Sequence, residues 1–137
     1  MSYKFEKLEV WQLALEYNAL IYAIAERLPR SEEYNLKSQI RRAATSIALN
    51  IAEGSTGQTD PEQRRFLNMA SRSLLETVAC QHLIHQRGYL PDPQPLREAY
   101  RFSRKLFAKL QAMRRAIGGE STTREETVVY ESAETPF

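Results

Sequence analysis

A chain of 137 residues with 19 basic and 17 acidic side chains has the size of one domain, and its net charge of +2 commits it to no partner. Hydrophobic residues at 42% and charged residues at 26% are ordinary for a globular protein and exclude a chain disordered throughout. The longest uncharged runs, residues 43–52 and 77–86, reach about half of the roughly 20 residues a membrane-crossing helix needs, so no membrane span is expected.

Met1-Ser2-Tyr3-Lys4-Phe5-Glu6-Lys7 leads into no apolar run and Cys80 is the only cysteine, so neither secretion nor an internal disulfide is indicated and the cytoplasm is the expected compartment. The five glycines and six prolines fall at a few joints, which leaves four long stretches free of helix breakers. Proline lacks a backbone donor and glycine costs about 1 kcal/mol inside a helix, so this placement predicts four helices. The first, residues 7–28, carries two largely apolar stripes at helical spacing. One is Leu8, Trp11, Leu15, Asn18, Tyr22 and Ala25; the other is Val10, Ala14, Tyr17, Ile21, Ile24 and Leu28. One stripe docks a helix in a small bundle, whereas two make a face wider than four helices cover, which predicts an oligomer.

Pro29 ends this helix, and Asn35, which tolerates a left-handed backbone, precedes a second helix over residues 36–53. Its apolar row is Leu36, Ile40, Ala43, Ile47 and Ile51, with Gly54 where a glycine C-cap belongs. Asp60-Pro61-Glu62-Gln63 supplies an N-cap, a first-turn proline and a capping-box glutamine for a third helix over residues 61–87. The core row expected there is Leu67, Ala70, Leu74, Val78, Gln81 and His85. The fourth helix, residues 95–117, has the heptad row Leu96, Ala99, Ser103, Leu106, Leu110, Met113 and Ile117. The expected fold is all-α: an antiparallel up-down-up-down four-helix bundle over residues 1–117. Residues 118–137, with five acids, one arginine and no helical period, read as a flexible acidic tail.

Phe5-Glu6-Lys7-Leu8, Val10-Trp11, Ile21-Tyr22 and Glu33-Tyr34-Asn35-Leu36 are followed by Gln39-Ile40-Arg41-Arg42-Ala43-Ala44-Thr45-Ser46-Ile47 and Asn50-Ile51-Ala52-Glu53-Gly54. With Phe66-Leu67, Ala70, Ser73-Leu74, Glu76 and Gly88-Tyr89-Leu90, these residues make the chain resemble, over residues 5–117, the bacterial four-helix-bundle proteins encoded in intervening sequences of 23S ribosomal RNA genes. The resemblance implies a small cytosolic bundle assembled as a homopentameric ring, with no established biochemical activity. A group similar in fold, the accessory proteins of diversity-generating retroelements, binds nucleic acid and partners a reverse transcriptase; carrying that activity here is an analogy of fold. Two positions depart from the family pattern: Arg72 replaces a common glycine before Ser73, and Asn35 stands where glycine is usual.

Charge is unevenly placed. Residues 1–117 carry net +6 and residues 118–137 net −4, and nearly all the excess lies between Asp92 and Ile117. Arg97, Arg101 and Arg104 recur at helical spacing with Lys105 beside them, which predicts an exposed ridge able to follow an RNA or DNA backbone, repeated around a ring. The alternative is a solvated face, with Lys109, Arg114 and Arg115 suiting the helix dipole. No aromatic platform interleaves the ridge, so base stacking is not suggested.

The polar row Gln39, Arg42, Ser46, Asn50 and Glu53 on the second helix is the other candidate. It reads as a ligand or nucleic-acid site or, in preference, as a polar network fixing subunit register, with an arginine such as Arg42 or Arg72, or one from a neighbouring subunit, expected to pair with Glu53. His82 and His85 stand three apart but lack the carboxylates a helical metal site uses, and Cys80 has no histidine at three or four residues and reads as a buried, inert thiol. With no glycine-rich phosphate loop, nucleophile elbow or zinc spacing, neither enzymatic activity nor a cofactor or metal is expected. Two functions stay open: a nucleic-acid-binding accessory factor acting through the fourth helix, or a structural hub for a protein partner without nucleic-acid binding.

Overall fold

The structure, a computed structural model, describes residues 1–56, 59–119 and 134–137. Four helices carry the fold: α1 Glu9–Glu26, α2 Leu36–Gly54, α3 Asp60–Gln86 and α4 Gln94–Ala116. Among the described residues there is no strand. Each helix packs on the next and α1 closes on α4, so α2 and α4 occupy opposite corners. Cross-helix pairs fix the directions. Gln39 meets Glu76 while Ser46 meets Ser73, and Ser71 meets Gln111 while Arg64 meets Ile117, so α3 runs antiparallel to both α2 and α4. Of the expected acidic tail, residues 120–133 lie outside the described residues.

The joints differ from expectation in how they are capped. Thr59, not Asp60, caps α3: its Oγ1 accepts the Glu62 N–H at 3.4 Å, and Pro61 sits in the first turn where no donor is needed. Gly54 is not a left-handed cap but the buried last residue of α2, where a Cβ would stand 3.0 Å from the Phe66 Cβ. Its missing side chain lets α2 and α3 approach. Asn35 has φ −128°, outside the left-handed region, because the buried Glu32 closes this joint instead. The Glu32 Oε1 accepts from the Asn35 amide at 2.9 Å and from the Leu36 N–H at 3.3 Å, capping α2 from the preceding turn. At the other end of the bundle Gly118 takes φ +81°, and Arg64 of α3 donates to the Ile117 carbonyl at 3.2 Å.

Of the two α1 stripes, one is the core. Val10, Ala14, Tyr17, Ile21, Ile24 and Leu28 are buried with Ile40, Ile47, Ile51, Leu74, Ile84, Leu96, Leu106 and Leu110, each large aliphatic contributing about 1.5–3 kcal/mol of burial. The other stripe is left partly uncovered, with Leu15 45% and Tyr22 38% exposed beside Leu49 of α2 at 56%. On α3 the expected core row drifts: Thr77 and Ile84 are buried while Val78 is half-buried and His85 exposed. The buried row Leu67, Ala70, Leu74, Thr77, Gln81 and Ile84 alternates steps of three and four, about 3.5 residues per turn, whereas the expected row takes two steps of four in succession after Ala70 and follows the 3.6-residue period.

The buried polar residues form a directed chain. Thr77 Oγ1 donates to the Leu74 carbonyl at 2.6 Å, so the 2.7 Å contact with Tyr17 has the Tyr17 hydroxyl donating, and Gln81 Nε2 donates to Tyr17 at 2.9 Å. Burial raises the Tyr17 pKa well above the usual tyrosine value and keeps the hydroxyl a donor. Gln81 Oε1 is buried with no hydrogen-bond partner among the described residues.

Candidate functional site

The four cations of the expected α4 ridge share one side of the helix but differ in burial and in what they touch. At 100° per residue, Arg101 and Lys105 point away from the core, whereas Arg97 and Arg104 sit on the flank turned towards α3. Arg101 and Lys105 are exposed and, among the described residues, make no hydrogen bond or ion pair. Arg97 and Arg104 are half-buried and engaged: Arg97 Nε donates to the Phe137 carbonyl at 2.6 Å and Arg104 Nη1 to the Glu134 carbonyl at 3.4 Å. The expected four-residue ridge is therefore two open cations and two that hold the 134–137 segment. Further along, Lys109 reaches Glu9 of α1 at 3.2 Å, an exposed pair worth little, and Arg114 donates to Gln111 at 3.1 Å.

The 134–137 segment lies in the groove between α3 and α4 and runs antiparallel to α4, with Glu134 at Arg104 and Phe137 at Arg97. The Phe137 ring is half-buried against the core. It stands 5.2 Å from the His82 ring, 5.1 Å from the His85 ring and, edge to face, 5.8 Å from Tyr100. An apolar cleft of about 270 Å³ lined by Leu75, Val78, Tyr100, Arg104 and Phe107 continues the groove along α4. His82 and His85 thus flank an aromatic side chain, and among the described residues no group of three or more His, Cys, Asp or Glu is placed to hold a metal. Cys80, one turn away, is buried, and burial, helped by the nearby Glu76, pushes its thiol up to about 11.

The polar row of α2 is half network and half open surface. Gln39 Nε2 donates to Glu76 Oε2 at 2.7 Å, the Ser46 and Ser73 hydroxyls meet at 2.9 Å, and Asn50 Nδ2 donates to the Ser46 carbonyl at 2.9 Å. The first two bonds join α2 to α3, and the third stays within α2. Arg42 and Glu53 are exposed and, among the described residues, make no hydrogen bond or ion pair, so neither Arg42 nor Arg72 is the partner expected for Glu53. Arg42 stands between two clefts. One, about 540 Å³, is lined by Tyr22, Thr45, Leu49, Asn50 and Glu53; the other, about 360 Å³, by Gln39, Ser46, Ser73 and Glu76.

Residues 6–112 match the model of a protein family described as 23S rRNA-intervening sequence protein. The chain belongs to that family. No curated protein matches it. The family match takes in α1, α2, α3 and most of α4, and with them Arg97, Arg101, Arg104, Lys105 and the whole α2 row. It stops before the 134–137 segment, so the groove belongs to the family's bundle while its occupant lies beyond the matched region. Sequence reasoning misses that groove because nothing periodic ties Phe137 to α4. The only cue is an isolated Pro136-Phe137 after an acidic stretch, together with His82, to which the core pattern assigns no role.

Proposed function

We propose that the protein is a non-enzymatic, cytosolic, self-assembling bundle that presents basic α4 surfaces to RNA or DNA phosphates. Its assembly face is the α1–α2 side and its assembly a homopentamer, as the family resemblance implies. The observation that carries the reading is the separation of two faces on opposite corners. Leu15, Tyr22 and Leu49 leave apolar surface uncovered on the α1–α2 side, where Arg42 and Glu53 make no hydrogen bond or ion pair among the described residues, while Arg101 and Lys105 stand open on α4, diagonal to α2. Copies joined through α1–α2 keep α4 free, and repetition turns a weak phosphate site into a multivalent one. Arg97 and Arg104 join that site only when the 134–137 segment leaves.

A shift assay with labelled RNA and DNA over rising salt, alongside light scattering, tests this. Binding at low salt that weakens steeply with salt, from a species several times the 15.8 kDa chain mass, is expected. Arg101→Gln with Lys105→Gln lowers affinity across all sequences and the salt slope by about one unit per lost contact. No binding at low salt, or an unchanged slope, ends the reading at this site. The second reading is a hub for a protein partner, favoured by the groove that already holds a peptide segment. A mainly apolar protein contact hardly responds to salt.

A further inference from the structure

We infer that the α3–α4 groove is a specific peptide-binding site whose ligand is the segment Glu134-Thr135-Pro136-Phe137, a recognition that holds whether the segment is tethered or supplied as a separate molecule. The groove combines the two elements such a site needs. An aromatic pocket made by His82, His85 and Tyr100 takes the Phe137 ring at centroid distances of 5.2, 5.1 and 5.8 Å, which are the tilted and edge-on geometries aromatic pairs favour. Backbone recognition comes from Arg97 and Arg104, which donate to the carbonyls at the two ends of the segment. Carbonyl contacts set the direction and register of a peptide without reading its side chains, and the pocket supplies the selection.

The segment suits the part. Pro136 fixes one backbone angle and so lowers the entropy lost on docking, and the Thr135 hydroxyl reaches the Phe137 carbonyl at 3.5 Å. The tether does not force the contact. From Ala116 back to Arg104 is twelve helical residues, about 18 Å, whereas the fourteen residues 120–133 can span up to about 46 Å. A linker more than twice as long as the path leaves the segment free to sit elsewhere, so its seat is chosen by contacts. One aromatic anchor and a few hydrogen bonds make a weak site, in keeping with a ligand that belongs to the same chain and so needs little intrinsic affinity.

His82 and His85 are the only histidines of the chain, so their ring proton signals report on this pocket alone. The experiment is a proton NMR titration at one fixed pH on the full chain and its Phe137→Ala variant, with the free peptide Glu-Thr-Pro-Phe as probe. Both histidine signals are expected to move in the variant as the neighbouring ring is lost. Millimolar peptide returns them towards the wild-type positions, and a peptide with Ala in place of Phe does not. The variant keeps its melting temperature within a few degrees, because Phe137 lies at the edge of the core. Histidine signals identical in wild type and Phe137→Ala overturn the docking, and signals that move in the variant but ignore the peptide overturn recognition in favour of a contact made only by tethering. Since no nucleic acid enters the assay, its outcome is independent of whether α4 binds phosphates.

Discussion

The Tyr89 hydroxyl donates to the Glu32 carboxylate at 2.5 Å, joining the loop after α3 to the turn before α2 across 57 residues. This hydrogen bond is the largest influence holding the Glu32 carboxyl below the usual carboxylate range. Burial opposes it, and the Leu36 N–H, the Asn35 amide and the nearby Arg87 add to it. A carboxylate with a lowered folded pKa stabilises the fold above its unfolded pKa, and that contribution is lost as pH falls through the folded value. Tyr89→Phe should therefore lower the melting temperature by a few degrees, about 3–8 °C, at neutral pH. The gap from wild type should narrow only as pH falls below the usual carboxylate range and through the lowered folded value of Glu32, where its carboxyl takes up a proton. Parallel thermal melts from pH 7 to pH 3 measure it, and a gap that stays constant over that range contradicts the assignment.

The buried chain of donors predicts an asymmetry. Tyr17→Phe leaves the Gln81 amide N–H without its acceptor and should cost about 1–3 kcal/mol. Gln81→Met removes a donor and an already unpartnered oxygen at similar volume and should stay within about 1.5 kcal/mol of wild type. Urea denaturation of the two variants ranks them.

At Gly54, alanine improves helix propensity by about 1 kcal/mol, yet its Cβ would press on the Phe66 Cβ between two helix backbones. Overpacking should win, and Gly54→Ala should destabilise by about 1–2 kcal/mol, read by the same denaturation. A stabilised variant would show that the α2–α3 approach is looser than its geometry.

A thiol pushed up to about 11 and buried on the inner side of α3 is a poor nucleophile at neutral pH. Cys80 should therefore resist a disulfide exchange reagent in the native state and react in denaturant. Rapid native labelling would place it in an opening segment of the bundle.

The uncovered stripe predicts where assembly fails. Leu15→Glu with Leu49→Glu places charges on the α1–α2 face, outside the core, and should reduce the mass found by light scattering while the helical circular dichroism signal is kept. A variant that holds the wild-type mass puts the subunit contact elsewhere.

Much of the fold is legible because it is local and periodic. Pro29, Pro61 and Pro91 sit at the joints, and each predicted helix falls within about two residues of the observed one. The two stripes of α1 also differ as read, one wholly in the core and the other partly uncovered at Leu15 and Tyr22. What the pattern hides is geometry across the chain. Gly54 reads as a cap because glycine usually ends helices, and its close approach to Phe66 exists only once α2 and α3 have packed. The engagement of Arg97 and Arg104 by the 134–137 segment is hidden for a similar reason: Arg97 and Phe137 are 40 residues apart, and a single side-chain-to-carbonyl bond leaves no periodic trace. The α2 row shows both outcomes, since Gln39 and Ser46 find partners on α3 while Arg42 and Glu53 find none among the described residues.

The core chain from Gln81 through Tyr17 and Thr77 to the Leu74 carbonyl has one further consequence, for alignment along the bundle axis. Leucine and isoleucine are interchangeable knobs, and α1 slid by one turn, about 5.4 Å, against α3 would still meet aliphatic side chains. It would not meet a second hydroxyl and amide spaced to take the Tyr17 phenol, which would then be buried without a mate. A single tyrosine thus works as a positional key, turning a greasy seam with several near-equal settings into one that locks at a single notch.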